Sequence, residues 1–404
     1  MALLPVARGG LMAGADFFAS KKAAAVFKHG ILSRYPVVFA SKTGKSVEGN
    51  RVVFLDGYAG RGEYGDGQPG SPLLLSRCAE FVKGYRNVLG FFVEQSQDNF
   101  ANLERVLDEK GGDAERFVRH GSVDEHLPEV LRRAQGASLF AFLDPFGPAL
   151  DFDLLKAALL GRPAWPPTEV LLHFSVLSVA RMGRAVHAAR SKRGELSPAD
   201  QKTADRLDRF LGGDWWQEHF AGVRDEGDEQ RATEIALEVC DTYEKLLTTG
   251  TRYRAVKMPV RPRPDLLPKY VLALFTASSE GAWHFADSLG KAGVEWSVAW
   301  QTDLLRKGER YGQGSLFGDD ELPTPESHSR SHGPEWTRII TGNLERLLDQ
   351  LGSFCPADYV PEVFGTTLGQ AGTPHVRAAV KLLSGTSVAN TGKGDFWKEQ
   401  LRRP

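Results

Sequence analysis

The chain has 404 residues, with 50 Lys and Arg against 51 Asp and Glu, a formal net charge of −1 and 42% hydrophobic residues. At this length a core forms without disulfides or structural metal, and the charge balance excludes a uniformly basic nucleic-acid wrapper while leaving a local basic groove open. Cys78, Cys240 and Cys355 are too few and too scattered for a disulfide framework or a zinc knuckle, no run of about 18 apolar residues occurs, and the amino-terminal segment lacks a secretory leader pattern, so no membrane span and a reducing, cytoplasmic setting are expected.

Residues 1–50 read as a loosely held arm, to about residue 20, followed by an amphipathic helix over KKAAAVFKHGILSRYPVVFA. Short apolar runs then recur at 51–56, 89–94, 115–121, 138–144 and 169–175, separated by helix-period segments of ten to fifteen residues. That alternation predicts βαβ units on a parallel sheet, a Rossmann-like α/β core over 51–175. From 176 to 250 the strand pattern gives way to polar helices, a helical insertion. RYRAVKMPVR and KYVLALFTAS, with no crossover helix between them, predict an antiparallel pair that completes the core over 251–308, covered by helical segments near 280–290 and 297–307. Residues 309–334, rich in turn formers, read as a linker or mobile loop, and 335–404 as a small helical region or, with a weak hairpin, a winged helix.

The sharpest motif is VVFLDGYAGRGEYGDGQPGSP at 52–72, where an apolar strand ends in Asp56-Gly57, passes Gly60 and Gly62, and reaches Ser71 as a helix cap with Pro72 first in the helix. Glycines without Cβ atoms let a ligand approach the backbone, or simply permit the turn. The spacing satisfies neither the dinucleotide fingerprint nor the Walker A motif. Glu94 closes the second strand, where an acid can accept from both ribose hydroxyls or merely cap a helix. After the third strand, Ser122 and Glu125 fit a capping box, and Asp124 stands where an adenine amine would be met.

The fourth strand ends in Asp144-Pro145-Phe146-Gly147. Asp144 can accept from an amino group and Phe146 can stack on a planar base; alternatively Asp144 caps the next helix and Phe146 fills the core. His173 and Ser175 at the end of the fifth strand read as supporting groups, with His173 a structural histidine rather than a base. Lys28-His29 reach either the ligand side of the sheet or solvent. Arg252, Arg254, Lys257, Arg261 and Arg263 form a dense positive run that grips DNA or RNA phosphates or else solvates a sheet edge. Trp215-Trp216 offer a stacking platform or core filling. No metal-ligand constellation is legible.

Taken together, FKHGILSRY, VVFLDGYAGRGEYGDGQPGSPL, FFVEQSQDNFANLERVL, FLDPFG and YVLALFT resemble the three-Cys-motif partner (TcmP) family, itself similar to class I S-adenosylmethionine-dependent methyltransferases. The resemblance implies a sheet ordered 3-2-1-4-5-7-6 with the seventh strand reversed, S-adenosylmethionine as cofactor, and a winged-helix-like carboxyl-terminal region. It also implies a three-cysteine partner protein. By this resemblance Asp56, Gly57, Gly60 and Gly62 surround the methionine part of the cofactor, Glu94 its ribose, and Lys28-His29 belong to the site. Asp144-Pro145-Phe146 is similar to the Asp/Asn-Pro-Pro-Tyr/Phe motif of amino-group methyltransferases, with the second proline replaced. The expected activity is methyl transfer, with an amino group of a nucleic-acid base as acceptor. The alternatives are a non-catalytic nucleic-acid-binding or protein-interaction module that retains the pocket, and a nuclease.

Overall fold

Apolar runs flanked by helical segments on both sides condense into one sheet because each strand has two faces to bury. The structure, a computed structural model, describes residues 23–221, 223, 229–310, 322–385, 388 and 392–403; the arm expected over 1–20 lies outside them. Strands β1 (Arg51–Asp56), β2 (Asn87–Glu94), β3 (Arg116–His120), β4 (Ser138–Leu143), β5 (Thr168–Phe174), β6 (Arg254–Val260) and β7 (Tyr270–Thr276) lie in the order 3-2-1-4-5-7-6. The first five pair in parallel, and β7 runs antiparallel to both β5 and β6, as expected.

Side chains alternate between two cores. Phe54, Phe140, Phe142, Leu171 and Leu272 face α1 (Ala23–Leu32), α2 (Tyr35–Thr43), α3 (Ser71–Val82) and α10 (Ser279–Arg310). Val53, Leu55, Ala141, Val170 and Leu172 face α5 (Val123–Arg133) and the insertion, which comprises α6 (Val176–Arg193), α7 (Pro198–Leu211), α8 (Trp216–Phe220) and α9 (Glu229–Thr248). Helix α4 (Gln97–Lys110) connects β2 to β3. All five parallel strands end on one edge of the sheet, where β1 has β2 on one side and β4 on the other. The loops leaving β1 and β4 therefore diverge and open a crevice.

Several boundaries differ from the sequence reading. The single helix expected over 21–40 is broken at Ser33-Arg34, because Pro36 has no N–H to give the preceding turn and its ring disfavours helical geometry just before it. The two segments expected near 280–290 and 297–307 are one 32-residue helix, α10. The second half of the expected linker is helical: α11 (Pro325–Leu351) starts at a capping box in which Thr324 Oγ1 accepts from Ser327 N and Ser327 Oγ accepts from Thr324 N, and Pro325 suits its first turn. Residues 311–321 of that linker lie outside the described residues.

The carboxyl-terminal region adds α12 (Val360–Phe364) and α13 (Thr373–Leu383). Its strands β8 (Ser353–Phe354) and β9 (Leu401–Arg402) join the two ends of the region instead of forming the expected hairpin. Trp283 of α10 stacks on Trp397 with ring centroids 5.7 Å apart, so this region shares one core with the sheet. Among the described residues no helix is long and apolar enough to cross a membrane.

Candidate functional site

Asp56 ends β1 in register with Phe92 of β2 and Phe142 of β4, fully buried at the mouth of the crevice. The loop beyond it is pinned at once: Gly57 N donates to Phe142 O (3.0 Å) and Ala59 N to Val93 O (2.9 Å). A Cβ on Gly57 would lie 2.7 Å from Leu143 Cδ2, so a larger residue there would have to displace that side chain. Gly60 has φ +64° with open space above it, and its N–H donates to Glu94 Oε2 at 2.8 Å, while Ser96 N donates to Oε1 at 2.7 Å. Glu94 thus ties the first two loops together with both oxygens still offering lone pairs.

Burial raises the Asp56 carboxyl to about 7, with the Ser71 hydroxyl and the Tyr58 N–H pulling the other way. Its Oδ2 has no hydrogen-bond partner, and nor has the buried Oδ1 of Asp124. Ser71 is not the cap expected: α3 begins on Ser71 itself, with Gly70 in the capping position.

Asp144, just past β4, gathers the residues the sequence left scattered. Lys28 Nζ donates to Oδ2 at 2.6 Å, and His173 Nδ1, at the end of β5, stands 3.2 Å from Oδ1 without hydrogen-bond alignment. Burial alone would push the Asp144 carboxyl up; the Lys28 ammonium outweighs it and holds the group below its ordinary value. Lys28, reciprocally, is pulled down by burial but lifted further by Asp144, so the pair is a salt bridge at neutral pH. Burial lowers His173 and keeps its ring neutral.

His29 is buried and reaches the Tyr64 hydroxyl at 3.2 Å, and Tyr270 packs on His173 with centroids 4.3 Å apart. Phe146 is 99% exposed, which removes core filling as its role. Its turn is held from the insertion: Arg206 Nε donates to Pro148 O (2.8 Å) and Nη2 to Phe146 O (3.4 Å).

Other expectations resolve differently. Ser122 and Glu125 do form the capping box, so Ser122 is a cap. Asp124 Oδ2 accepts from Arg209 Nη2 at 2.6 Å, and Arg209 Nε also donates to Asp151. Trp216 is buried in the insertion core, its Nε1 donating to Asp208.

The basic run around β6 makes contacts of its own within the fold. Arg252 donates to the Arg162 and Pro163 carbonyls, Arg254 to Asp358 O, Arg261 to Leu266 O, and Arg263 pairs with Asp265. Lys257 lies between Asp241 and Glu244. Only Arg254 and Lys257 lie in β6 itself, which forms one edge of the sheet; Arg252, Arg261 and Arg263 flank it.

Sequence reasoning missed Tyr64, Tyr270, Arg206, Arg209 and Glu169. The i, i+3 spacing of Arg206 and Arg209 on one helix was the available signal for that pair. Glu169, in β5, is buried and accepts from Tyr35 Oη and Thr276 Oγ1, both at 2.6 Å; burial raises it to about 7. It lies at the base of a cleft of about 450 Å³ lined also by Trp165, Lys42 and His284, at the end of the sheet opposite Asp144. Among the described residues no cluster of three or more His, Cys, Asp or Glu side chains is arranged to hold a metal ion.

No protein-family model matches the sequence, and no curated protein matches it. The acceptor set fits a ligand with hydrogen-bond donors: carboxyl oxygens without partners on Asp56, at the end of β1, and on Asp124, in the first turn of α5, join Glu94 and the open space at Gly60.

Proposed function

We propose that this protein transfers a methyl group from S-adenosylmethionine to an amino group, with the exocyclic amine of a nucleic-acid base as the acceptor class, in the manner of class I methyltransferases and in keeping with the resemblance to the three-Cys-motif partner family. The observation that carries the reading is the convergence of Asp56, Glu94 and Asp144 on the crevice between the β1 and β4 loops, where open α/β sheets bind their ligands. Asp56 and Gly57 to Gly62 would hold the methionine portion, Glu94 the ribose and Asp124 the adenine side. The bound cofactor would supply an electrophilic methyl group from its sulfonium, the S–CH3 bond breaking to leave a neutral thioether.

Asp144 Oδ1, the oxygen that Lys28 leaves open, accepts from an N–H of the incoming amine and directs its lone pair. Once the new N–C bond forms, the amine must lose a proton, and neutral His173 beside Asp144 is the group able to take it. Phe146 provides a face on which a planar acceptor stacks. In this reading α11 to α13 with β8 and β9 are the winged-helix-like part.

The test incubates the full chain with methyl-labelled cofactor and pools of DNA, RNA, protein and small molecules, identifying labelled product by mass spectrometry. Label in a nucleic-acid pool with wild type, lost with Asp144→Ala and Phe146→Ala, is the expected result. Equal labelling by all three proteins refutes this site.

A further inference from the structure

The edge of the sheet around Asp144 carries exposed apolar side chains that the fold leaves uncovered: Tyr64, Phe146, Leu177 and Leu266. They lie on one connected rim. Tyr64 reaches His29, next to the Lys28–Asp144 pair, and Phe146 follows Asp144 by two residues. A Cβ on the adjoining Gly147 would stand 3.5 Å from Ser178 Oγ, at the start of α6. Leu177 N donates to Lys269 O (3.2 Å), and Arg261 Nη1 donates to Leu266 O (2.9 Å), which closes the rim onto the β6–β7 loop.

The same rim carries cations without counter-ions. Arg61 in the glycine loop, Arg181 one turn beyond Leu177, and Lys269 before β7 are exposed, and their side chains make no ion pair or hydrogen bond among the described residues. Two of the nearby acids are paired, Glu63 with Lys110 and Asp265 with Arg263, while Asp66 accepts the Gln68 N–H and keeps its charge. A chain of net charge −1 therefore presents these cations around Phe146, the most exposed phenylalanine among the described residues.

Resting on the base-amine reading above, we propose that this rim binds single-stranded nucleic acid, with unpaired bases stacked on Phe146 and Tyr64 and phosphates met by Arg61, Arg181 and Lys269. Aromatic faces need bare base faces, which a duplex keeps stacked away. Asp144, only 19% exposed, sits below the rim and is reached by a base that has already left its partner.

The experiment measures fluorescence anisotropy of a labelled mixed-sequence strand of about 20 nucleotides, DNA and RNA, single and duplex, across salt from about 50 to about 300 mM. The single strand is expected to bind at least about tenfold more tightly than the duplex. Arg61→Ala/Arg181→Ala/Lys269→Ala together should lower the slope of log affinity on log salt by about 2. Tyr64→Ala and Phe146→Ala should each weaken binding by about 5- to 100-fold with the slope unchanged. Circular dichroism checks folding, which exposed substitutions leave intact.

Equal or tighter duplex binding, no binding to either form, or competition by polyglutamate as effective as by the strand overturns the proposal; the last marks a face for acidic protein. S-adenosylmethionine affinity, measured by calorimetry on the same samples, separates the outcomes: retained affinity without strand binding overturns the rim alone, and loss of both removes the methyl-transfer reading as well.

Discussion

Asp56→Asn isolates the cost of burying a carboxyl at the mouth of the crevice. Burial lifts this group from its ordinary 3.8 to about 7, while the unfolded chain keeps the ordinary value. Between those two values the folded state holds a proton that the unfolded state has lost, so the Asp56 contribution to stability is complete below pH 4 and is lost as pH rises through 7. From pH 5 to pH 8 that loss amounts to about 3 kcal/mol, at about 1.4 kcal/mol per unit. Asparagine is neutral throughout and can keep the acceptor for Tyr58 N.

The stability of Asp56→Asn relative to wild type should therefore rise by about 3 kcal/mol over this range. With an unfolding entropy of about 0.85 kcal/mol/K for a chain of 404 residues, the melting-point difference between the two proteins should shift by about 3.5 °C. Parallel thermal and urea melts at pH 5 and pH 8 make the measurement. A difference that stays flat with pH refutes the argument that Asp56 is a desolvated acid.

Glu169→Gln should behave with the same sign, gaining relative to wild type as pH rises from about 4.5 through 7, because Glu169 is likewise raised to about 7; melts over that range check it. Lys28→Met and Asp144→Asn each leave or weaken a buried half of an ion pair. The lysine variant should lose about 3 to 5 kcal/mol, and the double variant less than the sum of the singles; a double-mutant cycle showing additivity would dissolve the pair. Glu94→Ala should weaken S-adenosylmethionine binding about 10- to 150-fold by calorimetry, and unchanged affinity in a folded variant would end the ribose assignment. Phe146→Ala should change stability by less than about 0.5 kcal/mol in urea melts, since the ring touches mostly solvent.

The strands were legible because burial on both faces forces near-continuous apolar runs such as VVFLD and YVLALFT, and their order followed the family resemblance. Asp144 and Glu94 were legible as polar residues that end such runs. What joins them was not: Lys28 meets Asp144 across 116 residues, and nothing in FKHGIL says that a helix broken by Pro36 will turn its lysine inward. The contacts of Arg252 and Arg254 were not legible either, because the carbonyls they meet, at Arg162 and Asp358, are about 90 to 104 residues away. Glu169 was hidden for the opposite reason: a lone acid inside TEVLLHF carries no periodic signal, and only the fold brings Tyr35 and Thr276 to it.

The stacking of Trp283 on Trp397, and the single apolar core running from the sheet through α10 into α11 and α13, decides how this protein can be dissected. Cutting the chain before α11 would strip Phe364, Phe396 and Trp397 from Trp283 and lay bare one side of the helix that packs against α1, the helix that carries Lys28. A fragment ending there would be expected to aggregate, and loss of activity in it would report a ruined scaffold, whatever the carboxyl-terminal region binds. Point substitutions on the surface of α11 and α13 leave that core intact and are the informative way to ask what the region does.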